Sequence, residues 1–470
     1  MLALIRRNKL FFALFLILGF LLRGYMLKWH FLFQGDSLIY GDLAKNWLLH
    51  GIYGVTDGSS VLPVDIRTPG YPAFLAACFR LFGIEHYAAV VRVQLVVDLL
   101  TCFVIAAGAR RLLSDSAAKV AFALAALCPF SASYSATPLP ETLEIFFVAL
   151  ALLFAVAAAQ KMRRAPPWDV RHTFALSDWT VAGLALAACI YLRPDGGVLL
   201  IAIGLYQLWL SIEFRQSEYI VAMVVLGLAS LLPLLPWTVR NWRTLHQFQP
   251  LAPFYAEMPG EYVPAGFNRW CQTWVVDFIS VMNVEWNVST GTDGEAVDVK
   301  DIPNRAFDST QQRRRTEALI REYNESLQLS PELDAQFAAL AEDRVRAHPI
   351  AYYLGLPLAR VADMWLRPRT EIFNLELDWW NYQNVWQESA MSLALAAINL
   401  FYLLAAILSF RRQIPGSGIL WLFILCRSVL LATLANPEPR YTLECFPAVL
   451  MLAGINFSPR RYRGTEKDIW

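Results

Sequence analysis

The chain has 470 residues, 57% of them hydrophobic and 17% charged, with a mean hydropathy of +0.40. Soluble globular chains carry about a quarter charged residues, so this deficit over such a length excludes a large water-soluble core and points to a lipid environment. The net charge of +1 gives no bulk attraction to nucleic acid, and the 7 cysteines show neither CxxC pairing nor metal-ligand spacing.

A helix crosses the hydrocarbon core with about 20 apolar residues, because every backbone polar group there must bond internally. In chain order the candidate spans are 10–28, 87–108, 117–134, 141–160, 178–192, 196–213, 219–237, 388–410, 417–434 and 441–458. The first follows Arg6, Arg7 and Lys9 and lacks a small-residue cleavage site, so it reads as a retained signal anchor with a cytoplasmic N-terminus. Alternating sides from there places Arg110, Arg111, Lys119, Lys161, Arg163, Arg164, Arg171, Arg215, Arg411, Arg412, Arg460, Arg461, Arg463 and Lys467 inside. The short outer turns hold only Arg193 and Arg440. One missing or extra span would spoil this positive-inside pattern. The expectation is an all-α polytopic membrane protein of about 10–12 transmembrane helices, with both termini cytoplasmic.

Two outer segments are long. Within residues 29–86, Asp36 to His50 reads as a helix closed by Gly51, and a second amphipathic piece follows Pro72, a pair of short helices lying in the membrane surface. Residues 240–387 are polar and punctuated by Pro and Gly, then charged and helical. Ser330-Pro331-Glu332 is a helix start, with a capping hydroxyl, a proline at the first helical position and an acid. Residues 350–366 read as an interfacial helix. The organisation is therefore an N-terminal transmembrane module 1–239, an extracytoplasmic segment 240–387, and a C-terminal transmembrane module 388–470.

The outer turns carry the charged motifs. Asp36 reads as a helix N-cap or as a carboxylate general base facing a cavity; Asp42, six residues on, points elsewhere and reads as solvent-exposed. Arg67 precedes the Pro69-Gly70 turn and suits either lipid headgroups or a phosphate. Glu141 opens a span, as a favourable N-terminal acid or as a buried site carboxylate. Arg193, Arg240 and Arg440 sit in or beside further outer turns. Asp36, Arg67, Glu141, Arg193, Arg240 and Arg440 thus fall on one face by topology alone, as recognition of an anionic lipid headgroup requires.

These residues resemble bacterial members of glycosyltransferase family 39. The likeness lies in Asp36 followed by Tyr40 and Asn46, the Arg67–Pro72 turn, Glu141, Leu192-Arg193-Pro194, Pro236–Asn241 and Arg440-Tyr441, and covers about 10–240 and 345–458. Many relatives have Gly-Asp-Glu where this chain has Gly35-Asp36-Ser37. That family includes protein O-mannosyltransferases and the aminoarabinose transferase of lipid A. The resemblance implies a GT-C fold in the bacterial inner membrane and inverting transfer of a sugar from a polyprenyl-phosphate donor to a hydroxyl on an acceptor protein, lipid or glycan. It implies Asp36 as catalytic base and Glu141 as a second acid. Arg67, Arg193, Arg240 and Arg440 would bind the donor phosphate, and Tyr40, Tyr71, Asn241 and Tyr441 would line the cavity. A divalent cation, Mg or Mn, would be held by Asp36 and Glu141. The rival readings are a transporter or flippase for lipid-linked saccharides, with Arg92, Asp98 and Arg427 as its mid-membrane charges, and a non-enzymatic scaffold.

Overall fold

A computed structural model describes residues 1–33, 35–164, 170–255, 261–291, 293–371, 373, 375 and 385–458, the side chains of 164 and 170–174 excepted. The basic residues expected at 164, 171, 460, 461, 463 and 467 lie outside the described side chains.

Among the described residues, 7 helices are long and apolar enough to cross a membrane. They include Lys9–Trp29, Tyr87–Leu112, Glu141–Arg163, Pro194–Phe214, Glu218–Leu245 and Trp386–Arg412. The pair Asp115–Ala126 and Pro129–Ser135, bent by 52°, is apolar enough to make an eighth as one broken span, or to form a re-entrant loop. The expected spans at 417–434 and 441–458 appear as shorter elements, Gly418–Ala432 and Phe446–Asn456, the latter preceded by the 3₁₀ turn Pro439–Cys445. Fifteen residues of helix rise about 22 Å, so Gly418–Ala432 is short for a full crossing by itself, and it keeps Leu425 and Val429 exposed. Phe446–Ile455 is buried throughout.

The bend has a local cause and a long-range staple. Pro129 cannot donate to the preceding turn, which ends the helix at Ala126 and leaves its last carbonyls without partners. Arg23, fully buried on the first span, fills that need. Its Nη1 donates to Ala126 O at 2.7 Å and Nη2 to Ala125 O at 3.4 Å, while Nε donates to Asp98 Oδ2 at 2.7 Å. Asp98, read from sequence as a transporter charge, is thus the counter-ion of a structural arginine.

The first long segment folds as expected into the helices Asp36–His50 and Gly70–Phe82, with Gly51 at φ 68° capping the first. Between them lies an antiparallel hairpin, Gly54–Asp57 with Ser60–Pro63, that hydrophobic pattern did not reveal. Asp42 is not free in solvent: its carboxylate accepts from Thr56 N at 2.6 Å and Thr56 Oγ1 at 2.7 Å, tying the hairpin to the helix.

A second hydrophobic core forms in the late segment from Phe267, Trp270, Trp274, Tyr323, Phe337 and their neighbours. The helix at Pro331–Ala347 starts as read, Ser330 accepting from Leu333 N at 3.2 Å. Two buried arginines fasten this segment to the last turn of the bundle. Arg360 donates to Val275 O at 2.9 Å, to Gln272 O, and to Leu434 O at 3.2 Å. Arg369 donates to Pro439 O at 2.9 Å and to Thr442 Oγ1. The turn bearing Glu438 and Arg440 is thereby held from both sides.

Candidate active site

Asp36 is the first helical residue, not the cap. Gly35 occupies that position at φ 55°, a conformation that favours glycine, and no side chain caps the helix. The Asp36 carboxylate instead meets two guanidiniums: Oδ1 accepts from Arg67 Nη2 at 2.7 Å and Oδ2 from Arg440 Nη2 at 3.4 Å. The residues are 31 and 404 positions apart in the chain, so the convergence inferred from topology is real for these three. Burial pushes the Asp36 carboxyl up, but Arg67, Arg440 and Arg193 outweigh it and hold it below the usual range.

Glu141, 2% exposed at the start of its span, joins the same cluster. Its Oε1 lies 3.2 Å from Arg193 Nη1 and 3.8 Å from Arg440 Nη1. Tyr441 stands between those arginines, with Arg193 5.1 Å and Arg440 5.5 Å from its ring centroid. Tyr40 packs edge-on to Tyr71 at 5.1 Å and lies 5.9 Å from Arg67. Tyr71 donates its hydroxyl to Gln94 at 2.7 Å, and Gln94 continues to Thr137 O at 2.8 Å, which ties the first outer segment to the turn before Glu141.

Arg193 reaches this cluster because two turns pack closely. A Cβ at Gly70 would sit 2.4 Å from Tyr191 O, so only glycine lets the Arg67–Gly70 turn lie against the Leu192–Asp195 turn.

Arg240 and Asn241 stand apart from the cluster. Arg240 donates to Val64 O at 2.7 Å and to Tyr53 O, and packs 5.3 Å from the Tyr53 ring. Asn241 is buried and donates to Gln249 O at 2.7 Å. Both fasten backbone, and Arg240 also lines a separate apolar cavity of about 700 Å³ with Gly70, Phe147, Leu192 and Trp237. Asp36, Glu438 and Arg440 line a different cavity, of about 670 Å³.

Sequence reasoning missed several charged partners. Glu438 Oε1 pairs with Arg440 Nε at 2.7 Å, and burial pushes this carboxyl up to about 7 against the pull of Arg440. Beneath the cluster, Arg427 bonds Glu444 at 2.6 Å and Asp195 at 2.8 Å, while Arg193 lies 3.5 Å from Glu144 and Glu444. Arg427, a lone cation in an apolar run, was the one visible signal for this layer.

Of the expected cation holders, Asp36 has a guanidinium on each oxygen, whereas Glu141 meets Arg193 and Arg440 through Oε1 and its Oε2 is buried without a hydrogen-bond partner. The three acids whose ligand atoms lie within 4.8 Å of one another are Glu144, Asp195 and Glu444. Arg193 and Arg427 lie 2.6–3.5 Å from these acids, while both Glu144 oxygens are buried without a hydrogen-bond partner and would be open to a Mg²⁺ or Mn²⁺ ion.

A family model described as dolichyl-phosphate-mannose-protein mannosyltransferase matches residues 66–237. No curated protein matches the chain in sequence. Among solved structures, archaeal oligosaccharyltransferase AglB from Archaeoglobus fulgidus, in complex with an inhibitory peptide and a dolichol-phosphate, aligns over 95% of this chain and 50% of its own. The TM-score is 0.51 at 12% identity. The A. fulgidus oligosaccharyltransferase tethered with an acceptor peptide aligns over 95% and 49% of the two chains, with a TM-score of 0.53 at 11% identity. ArnT from Cupriavidus metallidurans bound to undecaprenyl phosphate covers 96% of this chain and 77% of its own at 14% identity. Its TM-score of 0.39 is too low to carry an argument. The chain spans about half the length of the archaeal enzyme. The family model thus covers part of the chain, residues 66–237, and the archaeal enzyme shares its fold.

Proposed function

We propose that this protein transfers a sugar from a polyprenyl-phosphate donor to an acceptor hydroxyl on the extracytoplasmic side of the membrane, with inversion and with Asp36 as general base. The observation that carries this reading is the Asp36 carboxylate held between Arg67 and Arg440, in a protein with two cavities, one lined by Asp36 and Arg440 and one lined by Pro69 and Gly70. One cavity is apolar and suits a prenyl chain; the other contains the carboxylate. The archaeal relative of this fold was solved with a dolichol-phosphate, the same class of carrier.

The chemistry follows from the charges. The donor phosphate would draw Arg67 and Arg440 toward itself, since a guanidinium matches two phosphate oxygens as well as it does a carboxylate. Asp36 then loses the neighbours that depress its proton affinity and becomes a better base. The acceptor oxygen attacks the anomeric carbon as the bond to the phosphate oxygen breaks. Asp36 takes the hydroxyl proton, and the arginines stabilise the charge left on polyprenyl phosphate. Glu141 keeps Arg193 and Arg440 oriented. Arg240 acts on the hairpin and the donor groove, leaving Arg67 and Arg440 as the phosphate ligands.

The transporter reading loses its motive, because Asp98 is committed to Arg23 and Arg427 to Asp195 and Glu444. The test is Asp36→Asn with a labelled polyprenyl-phosphate sugar and envelope acceptors. Transfer should fall by about 10²–10⁴-fold with expression and thermal unfolding unchanged; transfer at the wild-type rate would end the assignment.

A further inference from the structure

The 670 Å³ cavity beside Asp36 has walls that the transfer chemistry leaves unexplained. Trp29, Phe278 and Trp286 turn aromatic surface toward it, with Trp29 63% and Trp286 48% exposed. Phe278 and Trp286 meet edge to face at 5.6 Å, so two flat faces are fixed nearly at right angles. Next to them are two carboxylates with unused oxygens. Glu438 is 5% exposed; Oε1 is committed to Arg440, but Oε2 is buried with no hydrogen-bond partner. Glu371 Oε2 is likewise buried and unpartnered.

A buried acceptor without a donor is unfavourable by about 1–3 kcal/mol. Native proteins keep such atoms where something else completes them. An ionised carboxylate only accepts hydrogen bonds, so above the pH at which these acids ionise the missing group is rich in donors. A peptide backbone presents carbonyls as often as N–H groups, and the one arginine on this wall, Arg440, is already engaged by Asp36 and Glu438. A sugar ring presents several hydroxyl donors around its edge and an apolar C–H face. Fixed aromatic faces beside fixed acceptor oxygens match that pattern, and the volume lies within the range of about 300–1,000 Å³ usual for small-molecule sites.

We propose that this cavity is a saccharide-acceptor subsite, in which Glu438 and Glu371 accept hydrogen bonds from sugar hydroxyls, Trp286 and its aromatic neighbours seat the ring, and a further hydroxyl faces Asp36. The identity of that last hydroxyl as the nucleophile rests on the function proposed above; the seat itself does not.

The purified full-length chain, in detergent micelles, is titrated with neutral disaccharides of gluco, manno, galacto and N-acetylglucosamine configuration, and separately with serine- and threonine-containing hexapeptides. Intrinsic tryptophan emission and calorimetric heat are read in parallel. At least one disaccharide should saturate, and Trp286→Ala and Glu371→Ala should each weaken it at least fivefold. Ser458→Ala, at the opposite end of the last helix from Glu438, should leave it within twofold. The proposal is overturned if no disaccharide saturates, if the two variants leave saccharide binding unchanged, or if only peptides bind and the two variants weaken them. Asp36→Asn separates the two readings. Saccharide binding with undiminished transfer in that variant sinks the base and leaves the subsite. Lost transfer with no saccharide binding in the wild type sinks the subsite and leaves the base.

Discussion

Replacing Asp36 by asparagine should make a catalytically dead protein that binds polyprenyl phosphate more tightly than the native chain. In the free protein the Asp36 carboxylate occupies guanidinium edges of Arg67 and Arg440, at 2.7 and 3.4 Å, that a phosphate would need. The carrier must therefore break or stretch two ion pairs and then sit near a displaced negative charge. At an effective dielectric of 20, unit charges about 4 Å apart interact by about 4 kcal/mol. The side chains of Asp36, Arg67 and Arg440 are 28%, 20% and 16% exposed, so screening reduces the net effect well below that bound. Taking about 1–2 kcal/mol for the competition removed, the variant should bind about 5- to 30-fold tighter. The assay is equilibrium binding of sugar-free polyprenyl phosphate in micelles or nanodiscs, at constant pH and salt, with Arg440→Ala as the opposite control. Equal or weaker binding to Asp36→Asn would refute the claim that carboxylate and phosphate compete for the same two arginines.

Three further outcomes follow from the same geometry. Arg23→Leu strands a buried Asp98 and the carbonyls at the helix break, and should destabilise the protein by about 3–5 kcal/mol; Arg23→Leu with Asp98→Leu should recover much of that loss, read by thermal unfolding in detergent. Glu438, with its carboxyl pushed up to about 7, is neutral below that pH and grips Arg440 above it, so donor affinity should fall as pH rises through about 7, an inflection that Glu438→Gln removes. Gly70→Ala, whose new methyl would lie 2.4 Å from Tyr191 O, should separate the Arg67 turn from the Arg193 turn, at about 1–3 kcal/mol of stability and at least tenfold in transfer rate.

What was legible in the sequence was whatever depends on short-range pattern. Apolar runs separated by basic loops gave the helices and their order. Asp36, Arg67, Glu141 and Arg440 could be brought to one face without any contact being known, because the alternation of sides fixes which turns share a leaflet. The hairpin at Gly54–Pro63 escaped because each strand has only 4 residues, too short for a period of two to stand out. Arg240 was misjudged because topology assigns a face but not a direction: its guanidinium turns toward the Val64 and Tyr53 carbonyls.

The same limit explains why the second layer of charge was missed, and what that layer is for. Glu144, Asp195, Arg427 and Glu444 are ordinary turn or span residues when each is taken alone. Packed together, the three acids pair with Arg193, which Glu141 also meets. Asp195, Glu444 and Arg427 hold the turn after Leu192 against the segment that begins at Pro439. Arg369 and Arg360 add a lateral hold on the same segment through Pro439, Thr442 and Leu434. These attachments of the Arg440 turn are charged or hydrogen-bonded, beside the apolar packing of Leu443 and Cys445. Polar contacts of this kind specify a geometry more strictly than they add stability. A guanidinium that must meet Asp36 in the free state and a phosphate in the loaded state needs that strictness, because a displacement of about 1 Å at a reacting group is enough to lower a rate a hundredfold.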